Sequence, residues 1–248
     1  MLDQLIKTLS SSDKNLKLQR VVLGLGYIAV QLENGSTGIS ANIIHERKTT
    51  CTVFPKAGML RGATVEEILA MSAKEDLLCR ALGLASVNAI VNVEGCGSTE
   101  DVFEQINLKG TERVVMIGLI EPVVVMLKKK GCSISVFENR NVGNALVHSP
   151  DELASACTAA DIIIITATSI INNSIGSILQ SAAGSRDVVL MGPSTPMSGK
   201  AFMSTPVTHL AGSQVTDPEK ALEVIMEGGG TQKLYQTGAM IKVHRLIS

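Results

Sequence analysis

The spacing of apolar positions changes its period along the chain. Leu2, Leu5, Ile6 and Leu9 recur at helical spacing and predict a helix over residues 2–10. The polar stretch Ser10 to Asn15 predicts a loop. Arg20 to Leu32 is mostly apolar and predicts a strand, with Thr37 to Ile44 as the returning strand. Glu33-Asn34-Gly35 between them is the turn, because Asn-Gly supplies the positive φ angles that a tight hairpin needs. Thr64-Val-Glu-Glu67 and Ser72-Ala-Lys-Glu75 match the capping box and predict a short helix near 65–71 and a longer one near 73–92.

Residues 93–112 are punctuated by Gly95, Gly97 and Gly110 and contain one helical turn, Asp101 to Ile106; they read as a connection. Beyond them the pattern alternates. Short apolar runs predict strands at 113–118, 133–137, 161–166, 187–191 and 207–210. Helices are expected near 121–130, 150–158, 173–183, 198–203 and 217–226. Alternating β and α units imply a parallel sheet with right-handed crossovers. The fold class is therefore α/β: a parallel-sheet domain over 96–248, preceded by a smaller α+β domain over 1–95. There is no internal repeat or low-complexity tract.

Composition narrows the function. With 45% apolar and 18% charged residues in 248, the chain can build a packed core. Aromatic residues are only 2%, which removes base stacking as a binding mode, and a net charge of −1 offers no field for nucleic acid or anionic lipid. The one basic run, Lys128-Lys-Lys130 before Gly131, reads as a helix end complementing its dipole. No apolar run approaches a membrane span, and Asp3, Lys7 and Asp13 interrupt any signal-peptide core. Five cysteines without CxxC spacing argue against a disulfide framework or zinc ribbon, so a reducing cytoplasm is the expected location. Homo-oligomerisation is a default expectation.

Three strand ends carry candidate chemistry. Arg113 to Gly118 runs into Leu119-Ile-Glu-Pro122, Asp161 to Thr166 into Ala167-Thr-Ser-Ile-Ile-Asn-Asn-Ser174, and Asp187 to Met191 into Gly192-Pro-Ser-Thr-Pro196. Open α/β sheets bind ligands outside the carboxyl ends of their strands, so these loops predict one small-molecule site. Glu138 ends the next strand after Gly118, at the distance of about 20 residues where a dinucleotide-binding unit keeps its ribose-holding acid. The loop after Gly118 is not GxGxxG, however, and NAD is not expected. Glu138 is instead a candidate for a hydroxyl or a cation. Thr166, Thr168, Ser169, Asn172 and Asn173 exceed the needs of a single helix cap, so part of this set is a candidate for ligand contact. Pro193 stiffens the loop that presents Ser194 and Thr195; it is not GxSxG, so a nucleophilic serine is not expected.

Other positions have plainer readings. Asp217-Pro218 reads as a helix start, and Gly228-Gly-Gly230 either wraps the site or joins the last strand. Gly24 and Gly26, read as lying within a strand, mark a bulge or a close backbone contact. Asn88, in an otherwise apolar helix that also carries Arg80, needs partners: local backbone or the other domain. Arg61 reads as a surface residue. Histidines 45, 148, 209 and 244 form no HxH or HExxH motif; their pairing in space is left open.

Val21-Val-Leu-Gly-Leu-Gly-Tyr27, Leu82-Gly-Leu-Ala-Ser-Val-Asn-Ala89, Val136-Phe-Glu138, Ala160-Asp-Ile-Ile-Ile-Ile-Thr166, Gly192-Pro-Ser-Thr-Pro196 and Glu227-Gly-Gly-Gly230 occur in this order. Over roughly 18–240 the chain resembles the family labelled “putative heavy-metal chelation”. The resemblance implies an enolase N-terminal-like domain followed by a Rossmann-like domain, with a site in the cleft between them. Carried over by position, that cleft includes Asn88, Glu138, Thr168, Asn172, Ser194 and Thr195; Ser169 stands where the family's usual threonine is followed by leucine. The first functional reading is a cytoplasmic protein binding a small molecule, a divalent metal or a metal chelate, with Glu138 as candidate ligand. The second is a transferase or lyase acting on a nucleotide-like or phosphorylated metabolite, with Glu138 or Glu121 as general acid/base.

Overall fold

The computed structural model describes residues 1–44, 54–73, 76–138 and 148–247. The amino-terminal part forms helices α1 (Leu2–Thr8) and α2 (Ser11–Asn15), strands β1 (Leu18–Leu23), β2 (Tyr27–Leu32) and β3 (Thr37–Ala41), and helices α3 (Val65–Ser72) and α4 (Leu77–Val91). The short α5 (Val102–Gln105) precedes β4 (Arg113–Ile117), α6 (Glu121–Lys129), β5 (Ser133–Phe137), α7 (Leu153–Ala159) and β6 (Ile162–Thr166). Then come α8 (Thr168–Ile171), α9 (Ile175–Ser181), β7 (Asp187–Met191), α10 (Gly199–Phe202) and β8 (His209–Val215). The chain closes with α11 (Pro218–Met226), α12 (Thr231–Gln236) and β9 (Met240–Leu246). It is a mixed α/β fold with a small antiparallel sheet and a six-stranded, mostly parallel one. Among the described residues no helix is long and apolar enough to cross a membrane.

Several local expectations change. Arg20 to Leu32 forms two strands rather than one: β1 doubles back on β2 with Val21 opposite Val30 and Leu23 opposite Ile28. Gly24 permits the reversal against a neighbour, since a Cβ there would lie 2.5 Å from the carbonyl oxygen of Ile225. The expected loop at 10–15 contains α2, because Ser10 and Asp13 complete a reciprocal capping box. Helix α4 starts only at Leu77, where the Asp76 side chain accepts the Cys79 N–H; Ser72 closes α3 instead, donating to Leu69 O. Glu75, His45 and Cys51 lie outside the described residues.

The small sheet is covered on both faces, which is why β2 is buried along its whole length. Ile28, Val30 and Leu32 share a core with α3 and α4, while Tyr27, Ala29 and Ile39 share one with Ala221, Leu222, Val224 and Ile225. Helix α11, inserted between β8 and β9, thus packs on the amino-terminal sheet. Arg20 fastens it by pairing with Glu219 while donating from Nε to Gln31 Oε1 at 2.7 Å.

The large sheet runs β5-β4-β6-β7-β8-β9, with only β9 antiparallel. Val115, Ile117, Ile163, Ile165, Val188 and Leu190 face the core shared with α4 and α8. Their neighbours Val114, Met116, Ile162, Ile164 and Val189 face Val102 of α5, Ile106 just after it, and Val124 and Leu127 of α6. Burial on both faces makes such strands unbroken apolar runs. The chain steps outward from β4 to β5, then returns through α7 to the other side of β4. Strand order therefore reverses between β4 and β6, and the carboxyl ends of these two strands flank the switch point where open α/β sheets leave a crevice.

At the opposite edge of this sheet, Glu112 is nearly inaccessible. Burial alone would raise its pKa, but the N–H groups of Lys109 (2.7 Å) and Gly110 (2.8 Å) donate to the carboxylate and hold it at about 2 against an ordinary 4.5. A depressed carboxyl stabilises fully above about pH 4.5, and that stabilisation is lost as pH falls toward 2. Glu112→Gln is expected to cost on the order of 2–3 kcal/mol at neutral pH. Urea unfolding from pH 7 down to pH 3 checks this: the difference from wild type shrinks toward the acid end.

Candidate functional site

The rim of the switch point is built from three strand ends. Gly118 follows β4 with φ of 87°, a conformation that disfavours side chains. It also lies so close to Thr166 that a Cβ would sit 2.5 Å from the Thr166 methyl. The next amide, Leu119 N–H, donates to Glu138 Oε2 at 3.2 Å, which ties the end of β5 to the end of β4. Thr166 and Thr168 hydroxyls are 3.1 Å apart. Gly118, Glu138, Thr166 and Thr168 are each half-buried, so polar groups line the rim without being sealed from solvent. Glu121 opens α6 and is exposed, and no side chain caps that helix.

The other expected site residues sit elsewhere. Ser169 is buried and donates to Thr166 O at 2.7 Å, closing the turn into α8. Asn172 is exposed, and its Oδ1 accepts from Ser174 N–H (3.1 Å) and Oγ (2.8 Å) before α9. Pro193 is half-buried, while Ser194 and Thr195 are fully covered in a seam between the sheets. There, Ser194 Oγ accepts the N–H of Ala41 on β3 at 2.8 Å. Asn88 donates from Nδ2 to Ile39 O (2.8 Å) and to Ser194 O (3.0 Å), so it joins β3 of the small sheet and the loop after β7 rather than its own local backbone. Two shallow surface depressions, one beside α12 and one along α6, are lined by none of these residues.

One residue that holds the seam escapes the motif reading. Asn92, at the end of α4, donates to Thr195 O (2.9 Å) and Ser213 O (3.0 Å) and accepts from Met197 N–H (2.8 Å). Its place four residues after Asn88 was the available signal, since that spacing puts both amides on one helix face. Arg80, already placed on this helix by the sequence, serves backbone near its other end. It donates from Nε to Ile171 O (2.6 Å) and from Nη2 to Ile170 O (2.9 Å) and Asn173 Oδ1 (3.3 Å), placing a cation on the carboxyl end of α8.

Family models for DUF364 and DUF4213, both described as “Putative heavy-metal chelation”, match residues 101–244 and 3–91. The “Uncharacterized protein MJ0500” of Methanocaldococcus jannaschii is 25% identical over 239 residues, covering 89% of this chain and 87% of the relative. A solved structure from Pyrococcus horikoshii, a DUF364 protein with unknown function, is 26% identical with a TM-score of 0.83 and covers 99% of both chains. Another, from Desulfitobacterium hafniense, is 20% identical with a TM-score of 0.82, covering 99% of this chain and 96% of its own; at that identity the likeness is one of fold.

Proposed function

The chain belongs to the family described as “Putative heavy-metal chelation”, and on that premise we propose that it binds a small polar molecule, a metal ion or a metal chelate on the rim formed by Gly118, Glu138, Thr166 and Thr168. The observation that carries this reading is the strand-order reversal between β4 and β6, with Gly118 pressed against Thr166 and Glu138 anchored beside them. Glu138 holds a hydroxyl or a cation. Thr166 and Thr168 hydrogen-bond a polar or anionic group. Asn88, Ser194 and Thr195 set how closely the amino-terminal part approaches the rim.

The donor set narrows the ligand. Thiolate and imidazole select soft metals, whereas carboxylate and hydroxyl groups suit hard cations. Among the described residues no three His, Cys, Asp or Glu side chains are grouped to hold a metal ion. Cys96, Cys132 and Cys157 are covered, and burial raises their pKa values, which keeps them as thiols. The rim therefore favours a hard divalent cation, or the polar face of a chelate that brings its own donors, over a bare soft metal.

Isothermal titration calorimetry with Mn2+, Mg2+, Zn2+ and a metal–citrate chelate tests this. A hard cation or the chelate is expected to bind, and Glu138→Gln and Thr166→Val are each expected to weaken it by about tenfold or more, roughly 1.4 kcal/mol. Binding untouched by both substitutions overturns the proposed rim, and no binding by any probe overturns the metal and chelate readings.

A further inference from the structure

His209 opens β8 and His244 lies near the end of β9, at the sheet edge opposite the rim. Both are buried. His209 Nδ1 and His244 Nε2 are 3.0 Å apart, with the rings stacked at a centroid distance of 5.2 Å. On its other side, His209 Nε2 is 3.4 Å from Asp187 Oδ1, while Asp187 Oδ2 accepts from Arg186 Nε at 2.8 Å. This order fixes the protons. His209 Nε2–H donates to the carboxylate, so His209 Nδ1 carries a lone pair and accepts Nε2–H of His244. Only one proton fits between the rings. A first extra proton lands on His244 Nδ1. A second, on His209, sets N–H against N–H and cation against cation in a place with little water to screen them.

The pair also sits at a junction. The backbone of His244 exchanges two hydrogen bonds with Ser98, each 2.7 Å, and Ile247 N–H donates to Thr208 O at 2.8 Å. Gly97 is pressed so close that a Cβ would lie 2.5 Å from His244 O. The segment 96–101, which leads from the small sheet toward the large one, is thus held by the strand that carries one of the two rings.

We propose that His209 and His244 form a proton-operated fastener: with at most one extra proton they hold the end of β9 and the segment 96–101 on the sheet, and with both rings protonated they part and release them. The charges around the pair come from several elements. Asp187 and Arg186 stand at the start of β7, with Glu112 behind Arg186 at 3.6 Å. Glu100 and Asp101 act on His244 from the linking segment, and Arg245 turns away toward Gly199. Burial is the largest influence on both rings and holds their pKa values below the ordinary 6.5, against the pull of Asp187 on His209 and of Glu100 and Asp101 on His244. Histidines depressed in the fold stabilise it fully above about pH 6.5 and lose that contribution below it.

Amide hydrogen exchange on the full chain between about pH 7.5 and about pH 5.5 tests the fastener. After correction for intrinsic exchange, protection at Ser98, His244 and Ile247 is expected to fall at least about tenfold more than at Ile163 and Ile164 in β6. His244→Asn, whose amide can still donate to His209 Nδ1, is expected to abolish the excess loss. A parallel loss across all five amides, or an excess loss that persists in His244→Asn, overturns the proposal. Imidazole 15N titration of the unsubstituted chain gives a check that needs no variant: two rings that each take a full proton while protection at Ser98 and His244 stays intact also overturn it.

Discussion

Gly38→Ala is expected to lower the unfolding free energy by about 3 kcal/mol or more, since among the described glycines it has the closest overlap for an added Cβ. A Cβ at position 38 would lie 2.0 Å from Ala89 N, 2.3 Å from Ala85 O and 2.5 Å from Asn88 C. All three are backbone atoms of α4, so no side-chain rotation relieves the overlap. Helix and strand must separate, and the separation strains whatever depends on their distance. Ser40 Oγ loses its fit to Ala81 O (2.7 Å), and Asn88 is drawn away from Ile39 O and Ser194 O. Against a total of about 5–15 kcal/mol for a natural domain, that is a large share. Gly176→Ala is the matched control. It stands in α9 with nothing within 4 Å of the new Cβ. Alanine's helix propensity should make it neutral or stabilising by about 0.5–1 kcal/mol. Urea midpoints of the two variants separate overlap from a general cost of replacing glycine; equal midpoints would remove close packing as the explanation.

The same geometry accounts for what the sequence disclosed and what it hid. The strands of the large sheet were legible because both faces are covered, so Val114 to Ile117 and Ile162 to Ile165 had to be apolar without interruption. β9 was hidden for the converse reason. As an antiparallel edge strand it carries Lys242, His244 and Arg245 among its apolar residues, and its pattern resembles an ordinary loop. Gly24 and Gly26 were noticed as breaks in an apolar run, yet a run cannot tell a bulge from a full reversal. Only the approach of Ile225, two hundred residues on along the chain, decides it.

Site residues divide along a similar line. The positions of the proposed rim, Gly118, Glu138, Thr166 and Thr168, could be placed at strand ends from sequence because a strand's end and its first polar residue coincide. Ser194 and Thr195 carry the same local signal, but the Ser194 hydroxyl and both carbonyl groups are tied into the seam with β3 and α4. A small polar residue after a strand meets either ligand or protein, and sequence cannot distinguish the two. The His209–His244 contact lies beyond any motif, since it joins β8 to β9 across 35 positions that contain two helices.

Asn92→Asp is expected to be the most pH-dependent of the seam substitutions. Asn92 is buried and makes three hydrogen bonds: two donated to the Thr195 and Ser213 carbonyls and one accepted from Met197 N–H. Asn92→Ala leaves all three backbone groups without this partner, at a cost of about 3 kcal/mol after partial relaxation. Aspartate keeps the acceptor for Met197 but turns a carboxylate oxygen toward two carbonyl oxygens in a covered place. At neutral pH that is worse than alanine, by about 1–2 kcal/mol. Protonation restores one O–H donor and removes the charge. The introduced carboxyl therefore has its pKa raised by folding, and the destabilisation is relieved as pH falls below that value. Asn92→Asp should accordingly regain stability relative to Asn92→Ala between pH 7 and pH 4.5, a range that lies above the window in which Glu112 loses its own contribution. Denaturant unfolding of both variants across that range reads the crossing directly. Two curves that stay parallel would mean that water enters the seam and solvates position 92, and the link from α4 to the loop after β7 would then be far looser than its three short hydrogen bonds imply.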